Sequence, residues 1–134
     1  MLNRIKHIKE YLYRQSYYYV CCPTHKEFRK IVKKEINLEL SEKVLTEGGF
    51  YIIDVDGVDV HLIWTKDKSP ELIAHELMHS ISYGLRKKGM PLGDDSEEAY
   101  CYLIQYLMRE FLKDNGEKKR KKKSSGLQKK SVKE

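Results

Sequence analysis

The sequence predicts a small α+β domain with an N-terminal helical part, a β-hairpin or small antiparallel sheet, and two consecutive helices. Three patterns support this class. Residues 50–64 read as two strands around a tight turn, residues 69–89 have helical periodicity between start and stop signals, and residues 94–111 repeat that periodicity. Of the 134 residues, 1–113 are predicted to form the one domain and 114–134 a basic tail.

The N-terminal third of the chain is predicted to begin with a helix and a strand. An amphipathic helix is expected to end near Arg14, because apolar residues recur at helical spacing. These residues are Leu2, Ile5, Ile8 and Leu12. Residues 17–22 are rich in strand formers and are followed by Pro23. The tyrosines in that strand either pack in the core or offer a stacking platform for nucleic acid.

A second helix is predicted after this strand. Thr24 can cap it, with Glu27 completing a capping box, and its apolar face continues to Ile36. The opposite face carries a row of basic residues, and such a row is usually only solvated. The basic residues are Lys30, Lys33 and Lys34.

A β-hairpin is predicted next, with residues 50–55 and 58–64 on either side of an Asp56-Gly57 turn. Its second strand alternates apolar and polar residues and leads into the following helix. A strand beside that helix could pair with an extended substrate. His61 either lines such a cleft or is an exposed strand histidine.

The following helix carries the run from His75 to His79, which reads His-Glu-x-x-His. Ser69 and Pro70 give its start and Gly89 its stop, which predicts a helix of about 18–20 residues. Two histidines four residues apart lie one above the other on a helix and can turn their nitrogens toward one Zn²⁺. Glu76 lies between them and can reach a water on the metal, so it is the predicted general base.

A catalytic zinc needs three protein ligands and one open position for water. The metzincin pattern is excluded, because Ser82 and Leu85 occupy the positions where that pattern has glycine and a third histidine. We therefore expect the third ligand at the start of the next helix.

That next helix can be capped by Asp94, Asp95 or Ser96, and an apolar stripe follows. If Asp94 is the cap, Glu97 occupies the capping-box position and folds back onto the backbone. Glu98 is then the preferred ligand and Glu97 the alternative. Asp94, Asp95 and Cys101 are lesser candidates.

A family resemblance rests on three runs of sequence, which are His75-Glu76-Leu77-Met78-His79, Gly89-Met90-Pro91-Leu92 and Asp94-Asp95-Ser96-Glu97-Glu98-Ala99-Tyr100-Cys101-Tyr102-Leu103. Over about residues 50–112 the chain resembles the small zincin-like, gluzincin-type metallopeptidases encoded by bacteriophages and prophages. The resemblance implies a zincin-like fold in which the two consecutive helices bear the metal. It also implies His75, His79 and Glu98 as zinc ligands and Glu76 as base. Thermolysin-like enzymes have an aspartate where this chain has Tyr102.

These residues predict zinc-dependent hydrolysis of peptide bonds in a peptide or protein substrate. Glu76 would take the proton of the attacking water and pass it to the leaving nitrogen. Tyr83, one turn after His79, is the predicted further donor, with Tyr100 as the alternative. Three other hypotheses are a non-catalytic, zinc-stabilised phage interaction protein, a phage factor that associates with nucleic acid through the basic tail, and a metallohydrolase that acts on a non-peptide substrate.

Charge separates the tail from the domain. The chain has a formal net charge of +6. Residues 114–134 hold nine basic and three acidic residues, which is also +6, whereas residues 1–113 balance at 17 of each. A block of like charges with few apolar residues cannot bury itself, so the tail is expected to be disordered. It either contacts nucleic acid or other polyanions weakly or only keeps the chain in solution.

A cytoplasmic location is expected, in the bacterial host if the chain is phage-encoded. No apolar run reaches the roughly 18 residues of a membrane span, and the charged N-terminus is unlike a secretory signal. The cysteines are Cys21, Cys22 and Cys101, an odd number with an adjacent pair, which suits neither a structural disulfide nor a Cys-x-x-Cys metal site. We expect them to be reduced.

Overall fold

The structure is a computed structural model that describes residues 4–42, 45 and 47–113. Within those residues the chain forms a mixed α/β fold of four strands and three helices. In chain order the elements are β1 (Lys6–Glu10), β2 (Gln15–Cys21), α1 (His25–Ile36), β3 (Gly48–Val55), β4 (Val58–Thr65), α2 (Pro70–Lys87) and α3 (Glu97–Leu112). The predicted tail, residues 114–134, lies outside the described residues.

The four strands form one mixed sheet in the order β1-β2-β4-β3. β1 pairs antiparallel with β2, and β3 pairs antiparallel with β4. β2 and β4 are parallel, with Tyr17 beside His61 and Val20 beside Trp64. A parallel pair needs a long crossover, and α1 lies in the connection between these two strands. β3 therefore occupies one edge of the sheet, next to the strand that leads into α2.

The side chains of successive strand residues point to opposite faces of the sheet. Both faces are covered by apolar packing. Tyr17, Tyr19 and Ile63 belong to one apolar cluster, which includes the buried residues of α2 and α3. Leu62 and Trp64 belong to a second cluster, which includes the buried residues of α1. The fold thus has three layers, with α1 on one side of the sheet and α2 with α3 on the other.

The predicted N-terminal helix is wrong, because residues Lys6–Glu10 form β1. Ile8 and Glu10 are buried while His7 and Lys9 are exposed, which is the alternation of a strand. Ile5 and Ile8 pack in different clusters on the two faces of the sheet. The helix was predicted from the spacing of four apolar residues. Pairing with β2 stabilises a strand there instead. Leu12, one of those four, is 65% exposed in the turn between β1 and β2.

The structure contains the other predicted helices and strands, but the sheet is mixed where a small antiparallel sheet was predicted, because β2 and β4 run parallel. That α2 and α3 bear a metal stays a prediction. Thr24 caps α1, and its hydroxyl accepts the backbone N–H of Glu27 at 3.1 Å. β3 and β4 form the hairpin with Asp56 and Gly57 at its turn, both at positive φ. Within the described ranges, no helix combines the length and the apolar character needed to cross a bilayer.

Candidate functional site

The helix that carries His75 and His79 begins and ends close to where the sequence predicts. Pro70 is in its first turn, and Ser69 is the N-cap residue. The Ser69 hydroxyl makes no capping bond, because it donates to the Asp67 carboxylate at 2.5 Å instead. Gly89 adopts a φ of 80°, and its N–H donates to the Arg86 carbonyl at 2.9 Å, which ends the helix.

His75 and His79 lie side by side on α2. Their ring centroids are 4.8 Å apart and their planes are almost perpendicular. Both side chains are exposed to solvent. The ring of His79 also stacks on Phe50 of β3, at a centroid distance of 5.4 Å. Phe50 therefore orients one of the two imidazoles. The sequence pattern of α2 contains no signal for this contact, because it depends on how β3 packs against the helix.

Glu76 is turned inward between the two histidines and is only 9% exposed. Its carboxylate lies against Gly48 at the start of β3. A Cβ atom at Gly48 would come within 3.2 Å of the Glu76 Oε2 atom and 2.9 Å of the Trp64 carbonyl oxygen. Gly48 thus leaves room for the carboxylate, a role that sequence reasoning missed.

The Glu76 carboxyl group also differs electrostatically from an ordinary surface glutamate. Burial raises its pKa, and the neighbouring His75 and His79 lower it in part. A carboxyl group whose pKa is displaced upward is better matched to proton transfer near neutral pH than a free one. In the described part of the chain, no hydrogen-bond donor is recorded for Glu76, so its oxygens remain available to a ligand or water.

A cavity of about 350 Å³ opens between α2 and the start of β3. Its polar lining comprises the side chains of Glu47, Glu71, His75 and Glu76. The Glu47 carboxylate is also 3.3 Å from the Lys66 ammonium group, which neutralises part of this charge. Three carboxylates and an imidazole around one cavity are a suitable lining for a cation or for a cationic part of a ligand.

The predicted third ligand lies at the beginning of α3. Ser96 is the N-cap residue, so Glu97 and Glu98 are the first two residues of the helix, and both are exposed. The capping box predicted for Asp94 and Glu97 is wrong, because the helix starts two residues later. The Ser96 hydroxyl donates to the Pro91 carbonyl at 2.5 Å, which holds the turn before α3. The capping argument for preferring Glu98 over Glu97 is therefore lost, and the preference rests on the family resemblance alone.

A complete metal-binding group is not assembled in the described residues. No set of three or more His, Cys, Asp or Glu side chains there is arranged to hold a metal ion. The structure brings His75 and His79 together and places Glu76 beside them, while Glu98 is not grouped with them. Two adjacent imidazoles are suitable donors for Zn²⁺, so the donor chemistry fits in part. The ligand role of Glu98 stays a prediction.

The two predicted tyrosine donors have different environments. Tyr83 is exposed on α2, one turn beyond His79, and its hydroxyl hydrogen-bonds none of the described residues. Tyr100 is buried, and its hydroxyl donates to the Met90 carbonyl at 2.9 Å. Tyr100 thus has a structural role in the connection between α2 and α3. Of the two residues, Tyr83 remains the candidate donor.

His61 has neither of the predicted environments, because it is fully buried between the sheet and α2. Its Nδ1 atom is 2.5 Å from the Ser80 hydroxyl oxygen, and its ring stacks on Tyr17 at 4.5 Å. Within the described structure its Nε2 atom is buried without a hydrogen-bond partner. Burial lowers the pKa of His61 to about 4, so the ring is neutral at pH 7.

No protein-family model matches the sequence, and neither the curated proteins nor the solved structures include a significant match. The resemblance to phage-encoded zincin-like peptidases therefore depends only on the three runs of sequence that carry it. The chemistry of the site must be inferred from the side chains of α2 and β3.

Proposed function

We propose that the protein is a zinc-dependent peptidase whose site is formed by His75, Glu76 and His79. The observation that supports this most is a buried carboxylate held between two adjacent, solvent-facing imidazoles. A surface helix that carried these residues by chance would have no reason to bury Glu76 against a glycine. Zinc bound by the imidazoles would lower the pKa of a water molecule and polarise a substrate carbonyl.

The residues of the chain have separable roles in this proposal. His75 and His79 hold the metal, with Glu98 as the third ligand and Glu97 as its alternative. A Glu76 oxygen accepts the proton of the attacking water and later donates it to the leaving nitrogen. The Tyr83 hydroxyl donates to the oxygen that gains negative charge. β3 is an edge strand, so an extended peptide could pair with it beside α2.

Removal of either histidine should abolish stoichiometric zinc binding. We expect about one zinc per chain in the wild type and a loss of at least about tenfold in affinity for His75→Ala or His79→Ala, because two protein ligands seldom retain a catalytic metal. The measurement is elemental analysis after dialysis against a weak chelator. His7→Ala is the matched control, because His7 is an exposed histidine on β1, remote in sequence from α2. Zinc retained in full by both α2 variants would refute the proposed site.

The third ligand can be identified by comparing Glu98→Ala with Glu97→Ala. These residues are adjacent and exposed in the first turn of α3, so the two variants lose similar helix-dipole stabilisation, about 0.3–1 kcal/mol each. We expect zinc affinity to fall by on the order of 10–100-fold for Glu98→Ala only. Chelator competition with a zinc-sensitive dye gives the ratio. Equal affinities for both variants and the wild type would remove α3 from the metal site.

A further inference from the structure

The polar face of α1 carries a row of five cations at three- and four-residue steps. They are Lys26, Arg29, Lys30, Lys33 and Lys34. The two acids of the helix do not neutralise them, because both are occupied by the N-terminal segment. The Glu27 carboxylate is 2.7 Å from the Arg4 guanidinium, and Glu35 accepts the backbone N–H groups of Arg4 and Ile5. The charge of this face is therefore strongly positive.

A groove of about 400 Å³ runs beside this row. Asn37 ends α1 in the left-handed conformation, with a φ of 59°, and its N–H donates to the Lys33 carbonyl. The following segment forms the other wall of the groove with Leu38, Glu39 and Leu40. Both leucines are partly buried against the core cluster under α1. We name this feature the α1 groove, defined by the five cations and these three residues.

The α1 groove combines unpaired positive charge with an apolar wall. Arg29 contacts the Glu42 carboxylate at 3.5 Å, whereas no ion pair is recorded in the described structure for the four lysines. Glu39 is one acid among the eight lining residues. Four ammonium groups with no ion-pair partner among the described residues repel one another, and an anionic ligand would relieve that repulsion.

We propose that the α1 groove docks an acidic, leucine-containing segment of a protein partner. Phosphates of a nucleic acid would satisfy the lysines but would leave the two leucines facing a polar backbone. In a peptide that has both kinds of side chain, the carboxylates can pair with the lysines while the aliphatic side chains pack on the two leucines. The basic tail of the chain cannot be this occupant, because it has the same sign of charge as the groove.

The α1 groove lies on the opposite side of the sheet from His75, Glu76 and His79. Its two leucines pack with the cluster under α1, whereas the buried apolar residues of α2 belong to the cluster on the other face. Occupation of the groove therefore leaves the proposed metal site accessible. The docking proposal is independent of the proposed hydrolysis and would hold for a non-catalytic protein as well.

Binding of a defined peptide to the full chain tests this proposal. The probe is a short fluorescein-labelled peptide of glutamates interspersed with leucines, titrated by fluorescence anisotropy. The groove variant is Lys30→Gln/Lys33→Gln/Lys34→Gln, and the matched tail variant is Lys121→Gln/Lys122→Gln/Lys123→Gln. We expect Kd to rise on the order of tenfold for the groove variant and less than about twofold for the tail variant.

Three further measurements decide between outcomes. Lys30→Arg/Lys33→Arg/Lys34→Arg keeps the positive charge and should bind like the wild type. The weaker binding of the glutamine variant can then be assigned to lost charge and not to lost folding. Replacing leucine by serine in the probe should weaken binding by about tenfold or more. An oligothymidylate should displace the probe poorly. A Kd unchanged in the groove variant, an equal loss in the tail variant, equal binding of the serine probe, or efficient displacement by oligothymidylate would each overturn the proposal.

Discussion

A Glu76→Gln protein should lose peptide hydrolysis by a factor on the order of 10²–10⁴ and keep its metal. Glutamine has nearly the shape of glutamate, so it should fit against Gly48, where a larger side chain would not. It cannot accept the proton of the attacking water, which is the role proposed for the carboxylate. Because His75 and His79 are unchanged, zinc content should stay close to that of the wild type.

The measurement is digestion of a mixture of unstructured peptides, read by mass spectrometry, with zinc content determined on the same samples. Glu27→Gln is the control, because Glu27 is on α1, on the other side of the sheet. Wild-type rates in the Glu76→Gln protein would contradict the proposed mechanism. Stoichiometric zinc without any cleavage by the wild type would favour the non-catalytic interaction protein.

Acidification from pH 7 to pH 4.5 should cost about 2–3 kcal/mol of folding stability through His61 alone. Burial lowers the folded-state pKa of this imidazole to about 4, against about 6.5 in the unfolded chain. Well above pH 6.5 the ring is neutral in both states and has no effect. As the pH falls from 6.5 toward 4, the unfolded chain binds a proton that the folded protein does not, so stability is lost over this window.

Several groups around His61 set this behaviour. Ser80 hydrogen-bonds Nδ1, and Tyr17 stacks on the ring. Lys87 and Lys88 further disfavour a proton on the ring, while Asp59 favours it. Protonation of the ring would place an N–H group on both nitrogens. Because the Nε2 atom has no partner among the described residues, no acceptor there would offset the burial of the second N–H group.

Urea unfolding at pH 7 and pH 4.5 measures the effect. His61→Gln removes the titrating ring, so the fall in unfolding free energy between the two pH values should shrink by about 2–3 kcal/mol in that variant. The comparison uses the difference between pH values, which cancels the packing lost in the substitution. His7→Gln should shrink the fall by less than His61→Gln does, because His7 is exposed, although partial burial and Lys9 also lower its pKa. Equal pH dependence of the wild type and His61→Gln would contradict the assignment.

Local sequence signals located α2 and brought its two histidines together. The spacing of His75 and His79 fixed their proximity because helix geometry depends on no other part of the chain. The same holds for the Thr24 cap and the Asp56-Gly57 turn, which are complete within a few residues. Each of these features could be read from short-range pattern alone.

Most of the failures depend on contacts between distant segments. β1 became a strand because β2 was available as its partner, which no periodicity within residues 2–12 reveals. His61 is buried because β4 is a central strand covered by α2. Phe50 and Gly48 act on His79 and Glu76 through the packing of β3, about 30 residues earlier in the chain. The start of α3 depended on which of three adjacent polar residues formed the cap.

The parallel pairing of β2 with β4 has a consequence for how the protein reaches its native state. This pairing joins residues more than forty positions apart, with α1 and β3 between them. The chain loses entropy when it closes so long a loop, and the contacts that offset this loss form only afterwards. Folding rates fall as contacts join residues farther apart in sequence, so we expect the rate-limiting step to be slow. α2 follows β4 and packs on it, and Tyr17 and Tyr19 of β2 join the same apolar cluster, so this cluster is complete only after that closure. If a metal binds His75 and His79 as proposed, it should slow unfolding more than it accelerates folding.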